Sequence, residues 1–116
     1  MILKVGAVYL SSGFVEVKPA GEKWAICVSS SKGWFFSINT ANRAHYDCIG
    51  ISALEHPMLK TDRFVSCSNV LTLDLEKEFT EKYTISDNFK KALIQKIQSS
   101  SRLDRVKIDT ILTELK

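Results

Sequence analysis

Two polar loops of the sequence carry the side chains best suited to chemistry on a phosphodiester. Lys18 and Lys23 lie in the first loop, together with Pro19 and Gly21. The second loop follows the aromatic run 34–38 and contains amide, hydroxyl, guanidinium and imidazole groups, from Asn39, Thr40, Asn42, Arg43 and His45. Cationic groups stabilise charge that develops on a phosphate, and a histidine can move the proton of a ribose 2′-hydroxyl. The set therefore suits cleavage of RNA without a metal ion.

These side chains have candidate roles in such a reaction. Lys23 would hold phosphate charge, Thr40 would position or polarise the scissile phosphate, and His45 would act as general acid or base, which makes these three the candidate catalytic residues. The candidate substrate-binding residues are cationic, amide or aromatic: Lys18, Trp24, Asn39, Arg43 and Tyr46. Their aromatic rings can stack on an unpaired base. The alternative is that the polar residues only solvate the two loops.

Motifs of several other enzyme classes are absent from the sequence. It contains no GxGxxG, P-loop, HExxH or GxSxG pattern. Its histidines, His45 and His56, lie in different predicted loops, and neither has a second His or Cys at the spacing of a metal site. We therefore expect neither a metal nor a cofactor. Cys27, Cys48 and Cys67 are expected to be reduced and to fill the core as small apolar residues.

Length and composition indicate one globular domain. The chain has 116 residues, of which 45% are hydrophobic and 25% charged, and its formal net charge is +3. No apolar run approaches the roughly 20 residues of a membrane span, and residues 1–4 do not open a signal peptide, so we expect a cytoplasmic protein with no membrane partner. Residues 51–85 are mildly acidic and both ends are basic. A polyanion site is therefore expected to draw on the two ends.

The first two thirds of the chain are predicted to form about five or six short strands. Their apolar runs are 5–10, 24–28, 34–38, 48–51 and 64–73, and 14–17 is either a further strand or part of a loop. A turn signal at 29–33 predicts a hairpin that brings Lys23 and residues 39–40 to the same end. The acidic stretch 74–81 is expected to be a solvated linker.

The last third is predicted to form two amphipathic helices. Ser86 is placed to cap the first helix, whose apolar face is Phe89, Leu93, Ile94 and Ile97. Ser101, with Asp104 three residues later, fits a shortened capping box for the second helix, whose apolar face is Ile108, Ile111, Leu112 and Leu115. Strands followed by helices favour one α+β, mainly β domain over 1–116, with a curled antiparallel sheet in 1–78 and the helices in 86–116.

Three segments resemble the MazF/PemK family of toxin endoribonucleases. They are VGAVYL at 5–10, AGEKWAICVS at 20–29 and DRFVSCSNVLTLD at 62–74, followed by the terminal helices. The resemblance implies a small SH3-like barrel, a homodimer, metal-independent cleavage of single-stranded RNA and an antitoxin peptide as partner. It matches the family's catalytic arginine to Lys23, which is followed by Trp24 rather than proline, and the family's catalytic Thr or Ser to Thr40.

Two alternatives stand beside this interpretation. A barrel of this kind can be a non-catalytic protein-interaction module that uses its apolar rim and C-terminal helices, or it can bind nucleic acid without cutting it. Segment 55–63 is not typical of the family's well-studied toxins. It either rims a different site or begins a turn at His56–Pro57, with Met58 and Leu59 tucked under that turn.

Overall fold

The apolar runs of the sequence form one antiparallel sheet of six strands. The computed structural model describes residues 3–43 and 46–116. The strands are β1 (Ala7–Ser11), β2 (Lys23–Ser29), β3 (Trp34–Asn39), β4 (Cys48–Ile51), β5 (Arg63–Thr72) and β6 (Phe79–Thr84). They lie in the order β4-β5-β3-β2-β1-β6, and each neighbouring pair is antiparallel.

Two helices follow the sheet along the chain and pack on one of its faces. They are α1 (Asp87–Gln98) and α2 (Arg105–Leu115). The prediction of an α+β, mainly β domain is therefore confirmed. The SH3-like barrel is not, because β4 and β6 are the edges of a sheet that does not close. In the described part of the chain, neither helix is long and apolar enough to cross a membrane.

Strand β2 is buried on both faces, as its continuous apolar run predicts. Ile26 belongs to the cluster that includes the apolar faces of both helices, whereas Cys27 belongs to a second cluster on the opposite face. The second cluster is built around Phe35, whose ring makes edge-to-face contacts with Tyr9 and Phe14 at centroid distances of 5.7 and 5.1 Å. The sheet is thus the middle layer between two cores.

The predicted hairpin of β2 and β3 forms through the 29–33 turn. Ala25 pairs with Ser37, and Gly33 ends the turn at a φ of +68°, which glycine adopts without steric cost. Continued along the strands, this register places Lys23 opposite Asn39. The hairpin therefore fixes the geometry at its open end, where the candidate residues lie.

Strand β5 is long enough to pair with two neighbours. Its register with β3 shifts between Phe36 and Ile38, so the strand bends and its first residues also pair with β4. Through this pairing, Arg63 comes to lie beside the end of β3, where Asn39 pairs with Phe64. The segment 14–17 is not a strand, since it contributes only an isolated bridge from Phe14 to Leu73.

The acidic stretch 74–81 is not a solvated linker over its whole length. Its last residues begin β6, which pairs antiparallel with β1 from Ser11–Phe79 to Ala7–Thr84. The residues of β6 are largely polar, so the segment lacks a strong apolar signal, but its Phe, Thr and Tyr side chains suit a half-exposed edge strand. The sheet therefore runs past residue 78.

Both helices begin with a side-chain cap, but the sequence predicts the wrong capping residue for α2. Ser86 Oγ accepts the Phe89 N–H at 3.1 Å, as predicted for α1. The cap of α2 is Asp104, which accepts the Lys107 N–H at 2.9 Å, and not Ser101. The sequence prediction is wrong by one turn because the acid itself, rather than the serine before it, is the better-placed acceptor.

Candidate functional site

Lys23 and Asn39 form the centre of the candidate site. The hairpin register places them side by side, and Lys23 Nζ donates a hydrogen bond to Asn39 Oδ1. Both residues are half-buried. The ammonium is therefore held by a neutral amide rather than by a carboxylate, and its positive charge is not cancelled.

A buried polar network fixes Asn39 from below. Its Nδ2 donates to Ser37 Oγ at 3.0 Å and to Ser66 Oγ at 2.8 Å. Ser37 is 3% exposed and Ser66 is fully buried, so neither serine has free access to water. The amide is consequently fixed in one orientation, with its oxygen directed at Lys23.

The electrostatics around Lys23 favour an anion. Burial lowers the pKa of the Lys23 ammonium, and the nearby guanidinium of Arg43 lowers it further. Among residues 3–43 and 46–116, no carboxylate forms an ion pair with either cation. An anion bound between Lys23 and Arg43 would relieve the repulsion between them, as the phosphate of a nucleic acid would.

Three clefts that share lining residues lie around this end of the sheet. The inner cleft, of about 170 Å³, is lined by Lys23, Asn39 and Arg43 together with Glu16, Tyr46 and Asn69. The central cleft, of about 260 Å³, shares those first three residues and adds Thr40, Trp24 and Arg63. The outer cleft, of about 280 Å³, is lined by Trp24, Ile38, Met58, Leu59, Lys60 and Arg63. We refer to the three together as the basic groove.

Most of the residues predicted for the site line this groove. Thr40 is exposed directly after β3, in the same cleft as Lys23. The substrate-binding candidates on the groove are Trp24, Asn39, Arg43 and Tyr46. Lys18 is exposed and does not line it. His45 lies outside the described residues.

The loop that carries Arg43 is attached to the sheet by Cys48. The Arg43 N–H points to Cys48 Sγ at 3.4 Å, and the thiol donates to the Arg43 carbonyl oxygen at 3.2 Å. Cys48 is half-buried, whereas Cys27 and Cys67 are buried as predicted, and burial raises the pKa of each of these two thiols to about 12. Cys48 therefore positions a loop of the groove rather than filling the core.

Sequence reasoning missed two cations of the groove. Lys60 and Arg63 come from the mildly acidic middle of the chain, whereas the prediction drew on the two ends. Arg63 reaches the groove because β5 pairs with β3. Lys60 reaches it because Lys60 ends the 3₁₀ turn Pro57–Leu59, where it has a φ of +66°. The available signal was the length of the 64–73 run, which is sufficient to extend along the hairpin.

Segment 55–63 forms one wall of the groove. Leu59 is buried as predicted, but Met58 is 49% exposed and does not tuck under the turn. His56 is 2% exposed, its Nδ1 lies 2.9 Å from the Ser52 carbonyl oxygen, and its Nε2 accepts the Ser86 N–H at 2.9 Å. Both ring nitrogens are engaged, so His56 has a structural role.

The groove offers charge, hydroxyl and aromatic groups rather than metal ligands. Across the described ranges, no group of three or more His, Cys, Asp or Glu side chains could hold a metal ion. Of its two carboxylates, Glu16 is engaged through Oε1, which accepts the Thr72 N–H at 2.7 Å, and Glu22 lines the central cleft. The arrangement is suited to binding an anion and to stabilising charge that builds up on it.

Comparisons with known proteins return no match for this chain, whether against protein-family models, curated proteins or solved structures. Its function is therefore inferred from the geometry of the groove.

Proposed function

We propose that the protein is a toxin-like endoribonuclease that cleaves single-stranded RNA without a metal ion. The observation that supports this is the meeting of Lys23, Arg43 and Thr40 in one cleft, with no carboxylate paired to the two cations in the described part of the chain. The proposal includes the MazF/PemK relationship with its SH3-like fold, a homodimer, an antitoxin protein as partner and a cytoplasmic location.

The proposed reaction is transfer of the phosphoryl group to the neighbouring 2′-oxygen. The 2′-oxygen attacks phosphorus as its proton leaves to a general base, and the bond from phosphorus to the 5′-oxygen breaks as a general acid protonates that oxygen. The products are a 2′,3′-cyclic phosphate and a 5′-hydroxyl. Lys23 and Arg43 stabilise the extra negative charge, Thr40 donates its hydroxyl hydrogen to a non-bridging oxygen, and His45 serves as the general acid or the general base.

The test is cleavage of single-stranded RNA in the presence of EDTA. Lys23→Ala and Thr40→Ala are each expected to lower kcat by about a hundredfold or more, because each removes a group that stabilises the transition state. Lys91→Ala is the control, since Lys91 is exposed on α1. Thermal unfolding of each variant shows whether it is folded. Full activity of both folded variants, or an absence of cleavage by the wild-type protein, contradicts the proposal.

A second candidate function is favoured by one observation. Leu54 is 91% exposed and Met58 is 49% exposed, in the segment between β4 and β5 that walls the groove. Exposed apolar side chains next to a groove are typical of a protein-interaction surface. A non-catalytic interaction module would lose its partner on Leu54→Ser substitution, and its Lys23→Ala variant would keep that partner.

A further inference from the structure

The outer cleft of the basic groove has no role in the reaction proposed above. It joins the central cleft through three shared residues, Trp24, Ile38 and Arg63. A strand of RNA with its scissile phosphate at Lys23 would therefore enter the outer cleft with a neighbouring nucleotide.

The walls of this cleft are apolar and adaptable. Trp24 is half-buried and lines the cleft, and Ile38 and Leu59 are buried. Met58 is half-exposed at the rim, where a flexible thioether can adjust to a flat ligand. The volume of about 280 Å³ is just below the range of roughly 300–1,000 Å³ for drug-sized ligands, so the cleft suits one nucleobase.

The rim of the cleft is cationic. Lys60 is exposed and Arg63 is half-buried, and within the described residues neither forms an ion pair with a carboxylate. Lys82 Nζ lies over the Trp24 ring, 6.0 Å from its centroid, and does not line the cleft. An aromatic wall beneath a cationic rim matches the two parts of a nucleotide, because the base stacks on the ring and the phosphate pairs with the cations.

The aromatic wall and the cationic rim together favour an unpaired nucleotide over other polyanions. The bases of an RNA duplex are stacked inside its helix, so they present no free face to Trp24. An acidic peptide would satisfy Lys60 and Arg63 but would supply no flat aromatic group for the indole.

We propose that the outer cleft is a nucleobase subsite for single-stranded RNA, in which one unpaired base stacks on Trp24 while Arg63 and Lys60 hold an adjacent phosphate. The position of this base next to the scissile phosphate rests on the proposed function. The binding of the base in the outer cleft does not depend on whether the protein cleaves RNA.

The experiment separates binding from cleavage by using an RNA mimic that cannot be cut. A short single-stranded 2′-O-methyl oligonucleotide is titrated into Trp34→Phe protein, which leaves Trp24 as the remaining one of 2 tryptophans. Trp24 fluorescence is expected to be quenched on saturation, and the same backbone without bases is expected to bind without quenching.

Substitutions then test the cationic rim. Arg63→Gln is expected to raise Kd about tenfold and to reduce the salt dependence of log K by roughly 0.7, the value for one phosphate contact of a single strand. The matched control is Arg105→Gln, because the Arg105 side chain is 81% exposed on α2, where it pairs with Asp109. Trp24→Leu is expected to raise Kd about tenfold, and Met58→Ala tests the cleft if Trp24→Leu fails to fold.

Four outcomes decide between the possibilities. Quenching that depends on bases, together with weaker binding by Arg63→Gln, supports the subsite even if natural RNA is never cleaved. Cleavage of natural RNA with an unchanged Kd in Arg63→Gln and Met58→Ala overturns the subsite while leaving the proposed function intact. Equal quenching by a duplex overturns it too, as does displacement of the oligonucleotide by an acidic peptide at equal concentration.

Discussion

A charged side chain lies at each end of the β2–β3 hairpin, and the hydrogen-bonding surroundings of the two charges are opposite. At the turn, the Glu114 carboxylate of α2 accepts hydrogen bonds from the hydroxyls of Ser29, Ser30 and Ser31 and from the backbone N–H groups of Ser30 and Ser31. At the open end, Lys23 donates a hydrogen bond to the neutral Asn39 and lies near Arg43.

The difference separates a structural charge from a charge that can serve a ligand. Glu114 is surrounded by donors of the protein itself, so an external cation would gain little there. Lys23 has neighbours that leave its charge uncancelled, so an external anion would gain both Coulombic attraction and a hydrogen bond. The four predictions below change one end of the hairpin at a time, and they run from the largest expected effect to the smallest.

Removing the carboxylate at the turn is expected to cause the largest loss of stability. Glu114→Ala leaves the donors of the serine turn without their acceptor and removes this polar contact between α2 and the hairpin, so we expect the free energy of unfolding to fall by about 2–3 kcal/mol. Urea denaturation measures this. Asp109→Ala is the control on the same helix, where an exposed pair with Arg105 is worth only about 0.3–0.5 kcal/mol. Equal losses in both variants would contradict a special role for Glu114.

Acid is expected to weaken the same contact without a mutation. Burial acts to raise the pKa of Glu114, but the hydrogen bonds from Ser29, Ser31 and Ser30 outweigh it and lower the pKa from 4.5 to about 2. Between these two pH values the unfolded state binds more protons, so stability falls as the pH falls. Denaturation midpoints measured from pH 6 down to about 2 should decline more steeply in the wild type than in Glu114→Gln. Parallel curves would count against the assignment.

Making the open end resemble the turn is expected to disable binding while preserving the fold. Asn39→Asp places a carboxylate against Lys23. The hydroxyls of Ser37 and Ser66, which accept hydrogen bonds from the Asn39 amide, would turn to donate to this carboxylate. We expect Kd for a single-stranded 2′-O-methyl oligonucleotide to rise about tenfold, because the cation is then neutralised from within. Stability should change by less than about 1 kcal/mol, the usual limit for a partly exposed pair. Unchanged affinity would show that Lys23 does not bind phosphate.

Removing one serine hydroxyl is expected to have the smallest effect. Ser31→Ala removes a hydrogen bond of 2.7 Å to Glu114 but leaves the Ser31 N–H and the other two serines in place. The expected loss is about 0.5–1 kcal/mol in urea denaturation, that of one ordinary hydrogen bond at an exposed position. A loss as large as that of Glu114→Ala would mean that the donors act as one unit rather than additively.

The parts of the fold that depend on neighbouring residues were predictable. The hairpin of β2 and β3 follows from two apolar runs and a turn signal between them, and it is sufficient to bring Lys23 to Asn39. The start of α1 at Ser86 follows from a local cap, and both helices bury the apolar faces that their spacing predicts.

The parts that depend on distant pairing were not predictable. Arg63 joins the groove only because β5 bends across β3, and Glu114 meets the serine turn only after α2 has packed on the sheet. In the sequence, Glu114 is one charged residue on the polar side of a helix, and the serines are turn residues. Hydrophobic spacing carries no information about which polar groups meet across such distances. For the same reason, the start of β6 lies in a stretch, 74–81, that the sequence predicts to be a linker.

His56 links the wall of the outer cleft to the helical layer. Because the Ser52 carbonyl oxygen is an acceptor and the Ser86 N–H is a donor, the imidazole is held as the tautomer with its hydrogen on Nδ1. The buried ring connects the loop after β4 to Ser86, the residue before α1. One buried side chain therefore joins the wall of the outer cleft to the start of α1.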